Sequence, residues 1–209
     1  QDTLTILLGH NGAGKTTLMS ILSGVRSPSG GMLKIMGENL AGRKKTLKKS
    51  MGICHQLDFL WPTLTVMEHV TLVHRLKGQA CRDTVREATS MLEDLSLHKS
   101  SSLQTMRLSG GEKRKLMLVL SFVGRPQIVL LDEPTAGMDL VSRGAAWHFL
   151  KTRVDRRCIF MTTHLMDEAD ALGDRIAIMS KGELLCYGSS MFLKRRYANG
   201  YRLLISGKA

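Results

Sequence analysis

Gly9-His10-Asn11-Gly12-Ala13-Gly14-Lys15-Thr16 decides the fold. The stretch fits G-x-x-x-x-G-K-[ST], the pattern of a phosphate-binding loop. It follows an apolar run, Leu4-Thr-Ile-Leu-Leu8, and leads into an amphipathic one, Thr16-Thr17-Leu-Met-Ser-Ile-Leu22. That is the strand–loop–helix setting the pattern requires. Glycines let the backbone adopt dihedrals a side chain would forbid and wrap closely around phosphate oxygens. The amides then point inward, and the following helix offers its positive end to the anion. Lys15 is placed to reach the outer phosphates, and the Thr16 hydroxyl to hold Mg²⁺.

Around this loop the chain alternates strands and helices. Strand candidates are Leu4–Leu8, Met32–Ile35, Met51–His55, Ile128–Asp132, Cys158–Thr162, Arg175–Met179 and Glu183–Tyr187. Several are continuous apolar runs, as expected of strands buried on both faces of a parallel sheet. The last two flank Ser180-Lys-Gly182 and read as a hairpin. The middle of the chain, Leu64 to Gly124, has a helical pattern instead. Thr65-Val-Met-Glu68 is a capping box, and its helix should stop near Gly78. Val85, Ala88, Met91, Leu92 and Leu95 recur at helical spacing, as do Leu116, Val119, Leu120 and Val123 before Pro126. Both stripes read as core packing. Ser100-Ser-Ser102 reads as a short polar linker.

Composition excludes several classes. The chain has 209 residues, 43% hydrophobic and 23% charged, ordinary for a globular domain. No apolar run approaches the roughly 18–20 residues needed to span a bilayer. Cys54, Cys81, Cys158 and Cys186 are scattered without metal-ligand spacing, so buried or half-buried free thiols are expected. The net charge of +12 points to anionic partners, among them a membrane surface. The basic clusters Arg43-Lys-Lys45, Lys48-Lys49 and Lys194-Arg-Arg196 lack interleaved aromatics, so no nucleic-acid partner is expected. The chain begins with Gln and carries no signal peptide, so it is expected to be an excerpt of a longer polypeptide.

Two further motifs carry chemistry. Ile128-Val-Leu-Leu-Asp132-Glu133 is an apolar strand that ends in two acids. Burying unpaired charge is costly, and Mg²⁺ supplies a reason for it. Asp132 would contact the ion through water, and Glu133 would polarise an attacking water as general base. Leu108-Ser109-Gly110-Gly111-Glu112 opens a helix and forms a second anion site of free amides and favourable dipole.

Together, in this order and spacing, the motifs resemble the nucleotide-binding domain of ATP-binding cassette (ABC) transporters over nearly all of the chain. Gly9–Thr16 matches Walker A, Gln56 the Q-loop glutamine, Leu108–Glu112 the signature, Ile128–Glu133 Walker B, Ala136-Gly-Met-Asp139 the D-loop, and His164 the H-loop histidine. The resemblance implies a P-loop NTPase of the RecA-like α/β class, with a mostly parallel sheet, an inserted helical subdomain and a truncated N-terminal antiparallel β part. It implies one nucleotide-binding domain over 1–209. An ATP-binding core spans 1–60 and 125–190, a helical signature subdomain 61–124, and a C-terminal extension 191–209. ATP and Mg²⁺ are the implied cofactors, with Gly9 through Thr17 binding nucleotide and Thr16, Gln56 and Asp132 holding the metal.

In this family two cassettes dimerise head to tail, each ATP lying between Walker A of one and the signature of the other. Ser109, Gly110, Gly111 and Glu112 would therefore serve the partner cassette's nucleotide. Lys15 and His164 would stabilise the γ-phosphate, Glu133 and Gln56 would hold the water, and Asp139 would couple the two sites. The phrases Leu64-Thr-Val-Met-Glu-His69, Thr163-His-Leu-Met-Asp-Glu-Ala169 and Leu172-Gly-Asp-Arg-Ile-Ala-Ile178 resemble the A subfamily, the lipid exporters. That implies transmembrane domains as partners and a place on the cytosolic face of a membrane, within an integral membrane protein. The alternative is a soluble ABC ATPase acting in translation or nucleic-acid transactions. Two positions depart from the family pattern: Leu140 follows the D-loop aspartate and His55 precedes Gln56, where proline is usual. The aromatic residue on which the family stacks adenine would lie upstream of Gln1.

Overall fold

The computed structural model describes residues 2–39, 50–78 and 82–197. A six-stranded sheet forms its centre. It contains β1 (Thr3–Leu8), β4 (Met51–Cys54), β5 (Ile128–Asp132), β6 (Cys158–Thr163), β7 (Arg175–Ser180) and β8 (Glu183–Gly188). The strand order is β4-β5-β6-β1-β7-β8. All neighbours are parallel except the β7–β8 hairpin. β2 (Lys34–Ile35) and β3 (Glu38–Asn39) make a separate antiparallel ribbon, so the run Met32–Ile35 contributes only its last two residues to a strand. Seven helices are described: α1 (Lys15–Leu22), α2 (Val66–Leu76), α3 (Arg82–Asp94), α4 (Gly110–Phe122), α5 (Leu140–Lys151), α6 (Met166–Leu172) and α7 (Ser190–Tyr197).

β5 shows why the central runs are unbroken. Val129 and Leu131 enter the large core shared with α4 and α5, whereas Leu130 points to the other face, beside Met19 of α1. A strand covered on both faces has no polar positions to alternate. Between β4 and β5 the chain leaves the sheet and forms α2, α3 and α4. Thr65 and Glu68 cap α2 reciprocally, and Gly78, at φ 74°, turns the chain just beyond its end. Ala88, Met91, Leu92 and Leu95 are buried, as are Leu116, Val119 and Val123, with Leu120 half-buried. Gly52 of β4 lets α4 approach the sheet, since a Cβ there would lie 1.7 Å from the Ser121 carbonyl oxygen. The Ser100–Ser102 stretch is not a plain linker: His98–Ser100 is a 3₁₀ turn, and Ser100 Oγ donates to Glu112 Oε1 at 3.1 Å.

Of the cysteines, Cys54 is buried and Cys186 half-buried. Burial raises the Cys54 thiol to about 11, so it stays protonated. Cys158 is exposed, a correction to the expectation of buried thiols; it is the first residue of β6, at the open edge where the strand begins. Cys81, Arg43–Lys45, Lys48–Lys49 and the extension beyond Tyr197 lie outside the described residues. No helix among the described residues is long and apolar enough to cross a membrane.

Candidate functional site

Parallel pairing brings the carboxyl ends of β1, β4, β5 and β6 to one edge of the sheet, where open α/β folds bind ligands. β1 runs into the glycine-rich loop, β4 into Gln56, β5 into Asp132 and Glu133, and β6 into His164. The loop is pinned at its start, with the Gly9 N–H donating to the Thr163 carbonyl at 3.3 Å. Gly14 caps α1 at φ 104°, and no side chain caps the helix, leaving its first-turn amides to face a cleft. The cleft has a volume of about 280 Å³ and is lined by Asn11, Gly12 and the stretch from Gly14 to Thr17, together with Gln56 and Glu133.

Lys15 is buried, and its ammonium group is held from three sides. Nζ donates to the carbonyls of Gly9 at 2.8 Å and His10 at 3.2 Å, and lies 3.3 Å from Glu133 Oε1. The second oxygen of Glu133 lies 3.3 Å from His164 Nδ1. Glu133 itself adopts a left-handed φ of 48°, a conformation uncommon for a non-glycine residue. Its N–H is fixed to Thr162 Oγ1 at 3.0 Å, and the same hydroxyl donates to Asp132 Oδ1 at 2.5 Å. Thr162 therefore sets the angle between the two acids. Across the cleft, Thr16 Oγ1 lies 3.5 Å from Gln56 Oε1.

The signature segment does not line this cleft. Ser109 and Glu112 form a capping box at the start of α4, with the N–H and hydroxyl of Ser109 both donating to Glu112 Oε2 at 2.9 Å. The backbone bond from Ser109 is the main cause holding the Glu112 carboxyl below its usual value. Asp139 likewise stands outside the cleft and caps α5 through Val141 N and Ser142 N, both at 3.1 Å. That cap starts the helix directly at Leu140, without a proline to preset the turn. Asp139 is held below its ordinary range by hydrogen bonds from Ser142.

Two residues that organise the site carry no motif signal of their own. Arg114 is buried on α4. Its guanidinium donates to the carbonyls of His55 at 2.5 Å, Gln56 at 3.1 Å, Asp132 at 2.6 Å, Glu133 at 2.8 Å and Pro134 at 3.2 Å. One side chain thus ties the signature helix to the Gln56 loop and to the acidic end of β5. Glu168 on α6 is fully buried and accepts from Thr135 Oγ1 at 2.6 Å and Trp147 Nε1 at 2.9 Å. It fixes the turn between Glu133 and Asp139. In sequence, Arg114 reads as one of three consecutive basic residues on a solvated helix, and Glu168 as an ordinary first-turn acid. Burial on α4 by the 3.6-residue period, in line with Leu118, was the one available signal for Arg114.

A parallel sheet with a glycine loop after its central strand defines a P-loop α/β nucleotide-binding fold. The ABC transporter family model matches residues 1–136, and the chain belongs to that family. It is 46% identical over 205 residues to the phospholipid-transporting ATPase ABCA3 of Mus musculus, covering 98% of this chain and 12% of that protein. It is 44% identical to the phospholipid-transporting ATPase ABCA7 of Homo sapiens, over 98% of this chain and 10% of the relative. The retinal-specific phospholipid-transporting ATPase ABCA4 of Mus musculus is 43% identical, over 100% of this chain and 9% of its own length. The chain thus spans about a tenth of these relatives. Among solved structures, the ATP-binding subunit of an ABC transporter superposes with TM-score 0.86 at 25% identity, over 94% of this chain and 82% of that one. A dimeric bacterial ABC transporter cassette shares the fold with TM-score 0.83 at 22% identity, over 90% and 86%.

Proposed function

We propose that this cassette binds MgATP in the cleft at the end of β1, dimerises with a second cassette around it, and hydrolyses it to drive transport by attached membrane domains. The observation that carries the reading is the separation of two anion-receiving helix starts. The amides of α1 face the cleft, while the Ser109 loop at the start of α4 stands outside it. A chain with one phosphate cleft has no internal use for a second such loop, whereas a partner cassette does.

Within the cleft, the amides from Gly12 to Thr17 and the Lys15 ammonium take the phosphates, with Gly9, His10 and Ala13 shaping the loop behind them. Glu133, oriented by Thr162 and adjacent to His164, accepts a proton from the attacking water as general base. His164 and Gln56 fix the geometry of the γ-phosphate and the water, because phosphoryl transfer is mostly positioning and charge stabilisation. The oxygen donors Thr16 Oγ1, Gln56 Oε1 and Asp132 suit a hard cation that takes one carboxylate and completes its shell with phosphate and water. Held by these residues, Mg²⁺ would supply charge neutralisation for phosphoryl transfer. Ser109, Gly110, Gly111 and Glu112 meet the nucleotide of the partner, and Asp139 reports between the two sites.

Exposed Leu57, Phe59 and Trp61, directly after Gln56, form the surface proposed to receive the membrane domains. Arg114 connects that loop to Glu133 through the carbonyls of Gln56 and Glu133. The names of three relatives, all phospholipid-transporting ATPases, support lipid as cargo, and a place on the cytosolic face of a membrane belongs to the same proposal. The division into a core over 1–60 and 125–190, a helical subdomain over 61–124 and an extension from 191 belongs to the same proposal.

Lys15→Ala tests the site. ATP affinity of the full-length protein is expected to fall at least tenfold, measured with a fluorescent nucleotide; unchanged affinity refutes the assignment.

A further inference from the structure

A second cleft lies away from the phosphate loop and shares no residue with it. Its volume of about 730 Å³ is that of a small-molecule site. Four guanidinium groups line it. Arg86 comes from α3, Arg125 from the turn after α4, and Arg153 and Arg157 from the segment between α5 and β6. The two carboxylates present, Glu87 and Asp94, both sit on α3. Glu87 pairs with Arg125 at 2.9 Å and Asp94 with Arg153 at 2.5 Å. Two cations therefore remain without a carboxylate among the described residues.

Those two differ in a way that matters. Arg86 is exposed and reaches outward. Arg157 is half-buried: its NH1 donates to the carbonyls of Arg153 at 3.0 Å and Asp155 at 3.4 Å, and its buried Nε has no acceptor. Leaving a desolvated guanidinium hydrogen unpaired is unfavourable. Burial lowers the Arg157 pKa, with the charge of Glu87 opposing that shift. Arg153 lies 4.0 Å over the Phe149 ring, which holds its planar fork in place. Phe122 supplies an apolar floor. Excess positive charge, rigid forks and a recess of ligand size match multiply charged oxyanions, which guanidinium groups hold in bidentate fashion.

We propose that this cleft binds a small phosphorylated anion carrying at least two phosphate groups, and that the anion bridges the helical insertion to the core. Its contacts would run from Arg86 on α3 to Arg157 beyond α5. Any such ligand therefore depends on the relative position of these two parts.

Pyrophosphate is the probe, titrated calorimetrically into full-length protein carrying Lys15→Ala, which disables the phosphate loop. Binding is expected to persist in that background and to weaken at least tenfold on adding Arg86→Gln and Arg157→Gln together. Arg86→Gln alone, at an exposed side chain, guards against misfolding and is expected to weaken binding severalfold. Pyrophosphate binding that vanishes with Lys15→Ala, or that ignores both arginine substitutions, overturns the proposal. Vesicles bearing a bisphosphorylated inositol headgroup separate the sources of the anion. Arginine-dependent capture assigns a lipid headgroup, and arginine-dependent pyrophosphate binding without capture assigns a free anion.

Discussion

Lys15 Nζ and Glu133 Oε1 form an ion pair, 3.3 Å apart, in the cleft proposed to take nucleotide. The lysine that is to meet phosphate is thus already neutralised by the acid that is to activate water. In the proposed mechanism, incoming γ-phosphate would displace Glu133 from Lys15 and free the carboxylate to act on water. His164 Nδ1 lies 3.3 Å from the other carboxylate oxygen.

Removing this internal counterion should uncouple binding from turnover. Glu133→Gln is expected to tighten ATP binding about three- to tenfold, the scale of roughly 1 kcal/mol of lost competition in a partly solvated site. Turnover should fall by about 10²–10⁴, the contribution of a general base. Equilibrium binding and single-turnover hydrolysis, with any second site silenced, separate the two. A variant that hydrolyses at the wild-type rate contradicts the role given to Glu133.

Glu112 occupies Ser109 in the same manner, its carboxylate taking both donors of the serine. A γ-phosphate approaching from a partner must compete with it. Glu112→Gln keeps the capping box, because glutamine serves as well at that position. Losing the carboxylate's charge lessens its repulsion of an approaching γ-phosphate, so ATP-dependent association should strengthen about three- to tenfold, with helix stability changed by less than about 0.5 kcal/mol. Light scattering against nucleotide concentration and a thermal melt measure the two effects.

Arg114 joins five carbonyls across three segments, which a lysine's single ammonium cannot reproduce. Arg114→Lys is expected to destabilise the fold by about 3 kcal/mol, within the range for breaking a buried charged network. ATPase activity should drop further than the folded fraction does, since both Gln56 and Glu133 lose their support. Circular dichroism melts, with activity normalised to folded protein, check this. An unchanged melting temperature contradicts it.

Lys77 gives a pH signature. Its Nζ donates to the Val123 carbonyl at 2.6 Å, and burial lowers its pKa from 10.5 to about 8. Between those values the folded protein binds fewer protons than the unfolded chain, so this group's contribution to stability rises with pH across that window. Below it the buried charge costs on the order of 3 kcal/mol. Denaturant melts of wild type and Lys77→Met should show the difference between them shifting in favour of wild type as pH climbs from 8 to 10.5. A pH-independent difference contradicts the assignment.

The sheet was readable because its strands are continuous apolar runs, and the loop from Gly9 because its glycines and lysine have fixed spacing. The capping boxes at Thr65 and Ser109 were local for the same reason. Arg114 and Glu168 were not readable, since each owes its role to partners far away in sequence, the carbonyls of Gln56 and Glu133 in one case and Thr135 in the other. The Lys15–Glu133 pair needed the fold too, because β1 and β5 are separated by β6 in the sheet. Met32–Ile35 misled by its apolar content; only Lys34 and Ile35 find a partner strand.

On the proposed function, ATP is held between the Lys15 loop of one cassette and the Ser109 loop of another. A cryo-EM map of the full-length Glu133→Gln protein with MgATP tests it most directly. The Ser109 hydroxyl is expected within hydrogen-bonding reach, about 3 Å, of a γ-phosphate bound by another cassette's loop. Nucleotide fully bound in the cleft while Ser109 still faces solvent would contradict the account.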